Sequence, residues 1–332
     1  MIVYTKRFLN HNLTGHPECR ERLSATVDFL EGKGVFDTLQ LVEPGQAEAE
    51  DILRVHSQSH FENMKGIAES GTRVLGDTYY NPESFETALL AAGAVIDCVN
   101  SECKAGFALV RPPGHHATRN SSMGFCIFNN VAVGAAYAKT QGKRKIAILD
   151  FDVHHGNGTQ DIFYESDILY ISLHQWPHYP GTGAAEEVGE ERGEGYTVNI
   201  PLPGGVTDTG YNLALDEIVY PVLTDYSPDI LLVSAGYDAH QNDPLGGLKL
   251  STDTYHRISE NVKKLAKKTV FTLEGGYNIT ALPHCIYASL AGLYSLKPET
   301  FDTPQSENSH ATGEVENRIQ NIRENLSIYW KV

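Results

Sequence analysis

Short apolar runs rich in β-branched residues recur along the chain between longer stretches of helical character. IVYT at residues 2–5, FALV at 107–110, IAILD at 146–150, ILYISL at 168–173, ILLVSA at 230–235 and TVFTLE at 269–274 are apolar at consecutive positions. Strands read this way when both faces of a parallel sheet are covered. The covering helices are expected in between, for example SFETALLAAGAVIDCVN (84–100) and FNNVAVGAAYAKTQG (128–142), the latter closing on Gly142. This alternation predicts a single-domain, three-layer α/β/α sandwich with a mainly parallel central sheet. Residues 174–215 are Gly- and Pro-rich and too long for a simple connection, so they are expected to form loop around a site. The polar stretch 299–313 is expected to be loose. The last segment, 314–332, is expected to carry a helix that packs Ile319, Ile322, Leu326 and Tyr329 on the same domain.

Charge narrows the class of partner. With 26 basic and 42 acidic side chains the formal net charge is -16, which repels nucleic acid and anionic membrane surfaces and attracts basic peptides or cationic small molecules. The cysteines are odd in number and lack CxxC spacing, as reduced thiols in a cytosol would be. No long apolar span and no cleavable leader is evident, so a soluble, cytoplasmic protein is expected. The sequence leaves homo-oligomerisation open.

Polar groups collect just after the proposed strands. Arg111, Pro112, Pro113, Gly114, His115 and His116 follow FALV; Asp150, Asp152, His154 and His155 lie at the end of IAILD; His174, Asp238 and the run Glu274, Gly275, Gly276, Tyr277 follow three others. In open α/β sheets such residues converge on the crevice beyond the strands' carboxyl ends. A lone DxD is usually turn material. Here several ionisable groups would share one partly buried mouth, which is costly unless a cation compensates. Asp152, His154 and Asp238 offer two oxygens and an imidazole, a donor set that suits a catalytic zinc site with an open position. RPPGHHA fixes a rigid loop presenting His115 and His116, which can accept and return a proton in amide hydrolysis. In EGGY the glycines allow close backbone approach and Tyr277 can donate to an oxyanion.

These motifs resemble the zinc-dependent histone deacetylase superfamily, and the class II-like prokaryotic deacetylase-like amidohydrolases in particular. The resemblance runs in order through HPECRERL (16–23), GDTYYNPESFETALLAAGA (76–94), RPPGHHA (111–117), GFCIFNN (124–130), DFDVHHGNGTQDIFY (150–164), YPGTG (179–183), SAGYDAHQNDPLGG (234–247) and LEGGYN (273–278). It implies a deacetylase catalytic domain over 1–298 with an arginase/deacetylase-like fold. Zn(II), with Fe(II) as the alternative, would be held by Asp152, His154 and Asp238. It assigns His115 and His116 to base and acid work in an order left open, Asp150 to support His115, Asn157 to face His116, and Tyr277 to the carbonyl oxygen. A structural K+ would use Asp150, Asp152, His154, Ser172 and Leu173. Phe125, Tyr179, Leu245, Gly275 and Gly276 would line the acyl-lysine tunnel, Tyr179 standing where Phe is usual, and Arg22 would lie near an acetate exit.

The expected reaction is hydrolysis of N-ε-acetyl-lysine in a peptide or protein, or of a similar acylated amine. An acetylpolyamine or other small amide is the alternative substrate. Arginase-like ureohydrolases and a non-enzymatic acyl-lysine binding module are the competing classes; RPPGHHA and HHGNG weigh against the first, and the intact His115, His116 and Tyr277 against the second.

Overall fold

A computed structural model describes residues 1–306 and 309–332. Its main sheet has eight strands: β1 (Ile2–Val3), β2 (Leu41–Val42), β5 (Ala105–Ala108), β6 (Ile146–Asp150), β7 (Leu169–Gln175), β8 (Thr197–Leu202), β9 (Ile230–Ala235) and β10 (Thr269–Leu273). They lie in the order β2-β1-β5-β10-β9-β6-β7-β8, and every pairing is parallel. A separate antiparallel hairpin pairs β3 (Arg73–Leu75) with β4 (Thr78–Tyr80).

Every residue of β6, β9 and β10 is buried, which is why these strands read as unbroken apolar runs. One group of covering helices pairs Ser84–Asn100 with Asn130–Thr140, and another packs Thr252–Val262 and Glu21–Gly32 against Leu282–Tyr294. The helix Asn130–Thr140 ends just before Gly142, whose φ of 78° is the left-handed turn expected after a helix. The fold is therefore a single α/β domain on one large parallel sheet.

Three expectations are corrected. The stretch 174–215 is not all loop: Thr197–Leu202 adds β8 at the sheet edge, and a helix starts at Asp208. Pro201 obscures that strand because proline cannot donate to a ladder, a loss tolerated only at an edge. The polar stretch 299–313 is not simply loose. Asp302 Oδ2 accepts from Gln241 Nε2 at 2.9 Å and lies 2.6 Å from His240 Nε2, Asp302 Oδ1 accepts from Thr252 Oγ1 at 2.8 Å, and Phe301 stacks on His284. Within that stretch Glu307 and Asn308 lie outside the described residues. The terminal helix spans Ser309–Leu326, starting before 314 and ending before Tyr329; Ile319, Ile322 and Leu326 are buried, while Tyr329 donates to Glu194 Oε1 from the turn beyond. Among the described residues, no helix is long and apolar enough to cross a membrane, and all five cysteines are free.

Candidate active site

Five neighbouring strands, β5, β10, β9, β6 and β7, deliver the chemistry-bearing segments to one end of the sheet. Asp152 and His154 follow β6, and Asp238 follows β9. Val153 N donates to Asp238 Oδ1 at 2.9 Å, Gly275 N to Asp152 Oδ2 at 2.8 Å and His154 N to Asp152 Oδ1 at 2.9 Å, so the backbone fixes both carboxylates. Asp152 Oδ1 and Asp238 Oδ2 also face His154 Nδ1, at 3.0 and 3.1 Å. The ligand atoms of all three residues lie within 4.8 Å of one another, and among the described residues no other trio of His, Cys, Asp or Glu side chains converges in this way.

The electrostatics favour positive charge at this point. Burial works against a charge on His154, yet the two carboxylates outweigh it and raise the imidazole pKa to about 10. Burial and the neighbouring Asp152 charge push Asp238 above the usual carboxylate range, a repulsion that a bound dication would relieve. Two carboxylate oxygens and an imidazole nitrogen fit a divalent ion of the zinc type. The approach is close: a Cβ on Gly275 would sit 2.1 Å from Asp238 Oδ2 and 2.6 Å from Asp152 Oδ2. Only glycine leaves both carboxylates in place.

The paired histidines have different partners. His115 Nδ1 lies 3.0 Å from Asp150 Oδ2, and His116 Nδ1 lies 2.8 Å from Asn157 Oδ1. Burial opposes a charge on His115, but Asp150 and Asp152 outweigh it and hold its pKa at about 10. Burial, then the charges on His115 and His154, push His116 well below its usual value. Asn157 Nδ2 donates to Met123 Sδ at 3.4 Å, which turns its Oδ1 toward the imidazole. His116 therefore carries its proton on Nδ1, leaving Nε2 with a free lone pair.

Tyr277 is positioned through its backbone and its ring. Asp243 Oδ2 accepts from Tyr277 N at 2.6 Å, and the Arg22 guanidinium lies 5.0 Å from the ring centroid. Burial pushes the phenol pKa well up, so the hydroxyl keeps its proton and can donate. Gly276, at φ 114°, makes the turn that a side chain would strain. Arg22 is wholly buried, donating to Gly276 O at 2.7 Å, Glu274 O at 2.5 Å and Glu18 Oε1 at 3.0 Å.

Phe125 and Tyr179 stand above these groups. The Phe125 ring meets Tyr277 edge-on at 5.7 Å, and the Tyr179 ring meets His116 edge-on at 5.2 Å. Leu245 contributes its carbonyl, which lies 3.0 Å from Nε2 of His178, and the His178 ring stacks on His154 at 4.9 Å. On the far side of Asp150, β6 and β7 place Asp150 directly across from Ser172, with Leu173 next along the strand.

Several supporting residues carry no role in the sequence analysis. Glu274 Oε2 accepts from Gly114 N at 2.6 Å and His115 N at 3.1 Å, tying the histidine loop to the strand that carries Tyr277. Tyr170 donates to Asp150 Oδ2 at 3.2 Å. Glu18 receives Arg22 and Arg111 in a wholly buried cluster, with Tyr79 donating to Glu18 Oε2 at 3.1 Å. Glu18 and Glu274 lie inside motifs that the resemblance covers, but Arg111 and Tyr79 are 93 and 61 residues from Glu18, and Gly114 is 160 from Glu274. Arg111 stood out only as the residue before Pro112.

The Histone deacetylase domain family matches residues 16–293. A probable deacetylase of Archaeoglobus fulgidus is 40% identical, covering 99% of this chain and 98% of that protein. The histone deacetylase-like amidohydrolase of Pseudomonas aeruginosa is 38% identical, covering 87% of this chain and 79% of its own. The crystal structure of the HDA15 HD domain superposes with a TM-score of 0.90 at 36% identity, over 99% of this chain and 94% of that one.

Proposed function

We propose, on the premise that this chain belongs to the histone deacetylase family, that it is a zinc-dependent deacetylase releasing acetate from N-ε-acetyl-lysine. The supporting observation is the convergence of Asp152, His154 and Asp238 beside Tyr277 and the two unlike histidines. Asp152, His154 and Asp238 would hold the zinc ion, whose chemistry there would be Lewis acidity toward the carbonyl and activation of water.

The protein's own groups do the rest. Phe125 and Tyr179 form apolar walls for the methylene chain of the acylated amine. Tyr277 donates its hydroxyl to the carbonyl oxygen, a bond that strengthens as negative charge develops there. His116, with Nε2 unprotonated, takes the proton from the attacking water. The same imidazole can then return it to the departing amine. His115, held at 3.0 Å by Asp150, has its ring fixed beside the reacting centre. Asp150 thus acts through His115 and, with Asp152, His154, Ser172 and Leu173, offers oxygens to a structural K+. The buried Arg22 lies behind Tyr277, on the side through which acetate would leave.

The acidic surface suits basic peptides and also favours acetylated polyamines as a second substrate class. One zinc-loaded preparation assayed on an acetyl-lysine peptide and on acetylspermidine, with and without chelator, separates the readings. Chelator-sensitive hydrolysis of the peptide at the higher kcat/KM is expected. Failure to hydrolyse either substrate would overturn the proposal.

A further inference from the structure

The short turn joining β3 to β4 reaches both walls of the tunnel. On one side, Asp77 Oδ1 accepts from Gly124 N at 2.9 Å and Thr78 Oγ1 accepts from Phe125 N at 3.1 Å. These bonds hold Phe125 at φ 67°, a left-handed conformation that a bulky side chain rarely adopts unaided. Across the mouth, Asp77 Oδ2 accepts from the Tyr179 hydroxyl at 2.9 Å. Burial, followed by the Asp77 carboxylate, pushes the Tyr179 phenol up, so it remains a donor through the neutral range. Tyr179 is 39% exposed, and without this bond only its edge contacts with His116 and His154 would keep its ring from swinging toward solvent.

We infer that Asp77 is a specificity-determining positioning residue that latches the two tunnel walls together and keeps the mouth narrow enough for a slender, unbranched acyl chain. The latch depends on the tyrosine, because phenylalanine, the residue the family resemblance leads one to expect at 179, has no hydroxyl to reach across. An acyl group must pass this mouth before it meets the histidines. Mouth width therefore discriminates among acyl groups before any chemistry does. This inference rests on the deacetylase reading for its substrate, though not for the latch itself.

Two measurements on the zinc-loaded 332-residue chain test it, using Tyr179→Phe, Asp77→Asn and the double variant. Hydrogen–deuterium exchange reads the latch whatever the chemistry. Tyr179→Phe should speed exchange in both the 72–80 hairpin and the 176–183 loop while leaving β6 and β9 protected. Exchange unchanged in the hairpin overturns the latch. Steady-state kinetics on acetyl-lysine and isobutyryl-lysine peptides read its purpose. Tyr179→Phe should raise KM for the acetyl peptide about 3- to 10-fold with a smaller change in kcat, and should narrow the preference for acetyl by a similar factor. Asp77→Asn keeps an acceptor for Gly124 N and can meet the tyrosine hydroxyl only as a donor, so it should shift both readouts no further than Tyr179→Phe, and the double variant should behave like Tyr179→Phe. Additive effects, or a preference within 2-fold of wild type, overturn the specificity role. A wild-type protein inert on every acyl-lysine would overturn the deacetylase reading alone and leave the exchange result to decide the latch.

Discussion

Glu274 accepts the backbone N–H of His115 at 3.1 Å, with Gly114 N at 2.6 Å beside it, so the strand that carries Tyr277 also fixes the loop of the paired histidines. Burial raises this carboxyl to about 7, against the pull of the His115 charge and the two backbone donors. A carboxyl whose folded pKa lies above its unfolded value of 4.5 contributes stability below that value, and loses the contribution as pH rises through about 7. Glu274→Gln, which stays neutral, should therefore melt higher than wild type at about pH 8, with the gap closing below about pH 5. A variant that melts lower at the alkaline end would show that the charged carboxylate is needed there.

The Glu18 cluster has the opposite sign. Burial opposes its charge, but Arg111 and Arg22 outweigh burial and hold the carboxyl down at about 2. Its contribution is present above the ordinary value of 4.5 and is lost as pH falls from there toward about 2. Glu18→Gln leaves two buried guanidinium groups without their counter-charge and should cost about 3–5 kcal/mol in urea unfolding at neutral pH. A loss under about 1 kcal/mol would mean that the arginines find other partners.

Gly275 can be tested by a single methyl group. The added Cβ would overlap Asp238 Oδ2 and Asp152 Oδ2, so Gly275→Ala should lower zinc affinity by roughly 10- to 100-fold, the scale of lesions that misorient metal ligands. Isothermal titration of the metal-free variant checks this. Wild-type affinity would mean that the carboxylates move aside without losing the ion.

Tyr277→Phe isolates the oxyanion donor. Its kcat should fall roughly 10²- to 10³-fold, with zinc content by elemental analysis unchanged. Turnover at the wild-type rate would remove Tyr277 from the chemistry.

The sheet's central strands were legible because burial on both faces leaves an unbroken apolar run, as in Ile146–Asp150 and Ile230–Ala235. Strand Thr197–Leu202 was hidden by Pro201 and a glycine-rich setting, both tolerable only at the edge it occupies. Asp152, His154 and Asp238 showed themselves by following apolar strands, since the strand ends decide which residues meet. Glu18 and Asp77 showed no such pattern, and Glu274, though it follows a strand, gave no sign of what it holds. Each is defined by partners far away in sequence, Glu18 by Arg111 and Glu274 by Gly114, and no local periodicity records such pairings. Asp302 was obscured in the same way, because a polar segment looks loose until His240 and Thr252 are seen to hold it.

Metal-dependent catalysis by the Asp152, His154 and Asp238 trio is tested most directly by titrating zinc into chelator-stripped protein while following hydrolysis of an acetyl-lysine peptide. Turnover should rise from near zero to a plateau at about one ion per chain, the stoichiometry of a single catalytic metal site, and Asp238→Ala should show no rise. Full turnover in the stripped protein, or a wild-type plateau in Asp238→Ala, would contradict the assignment.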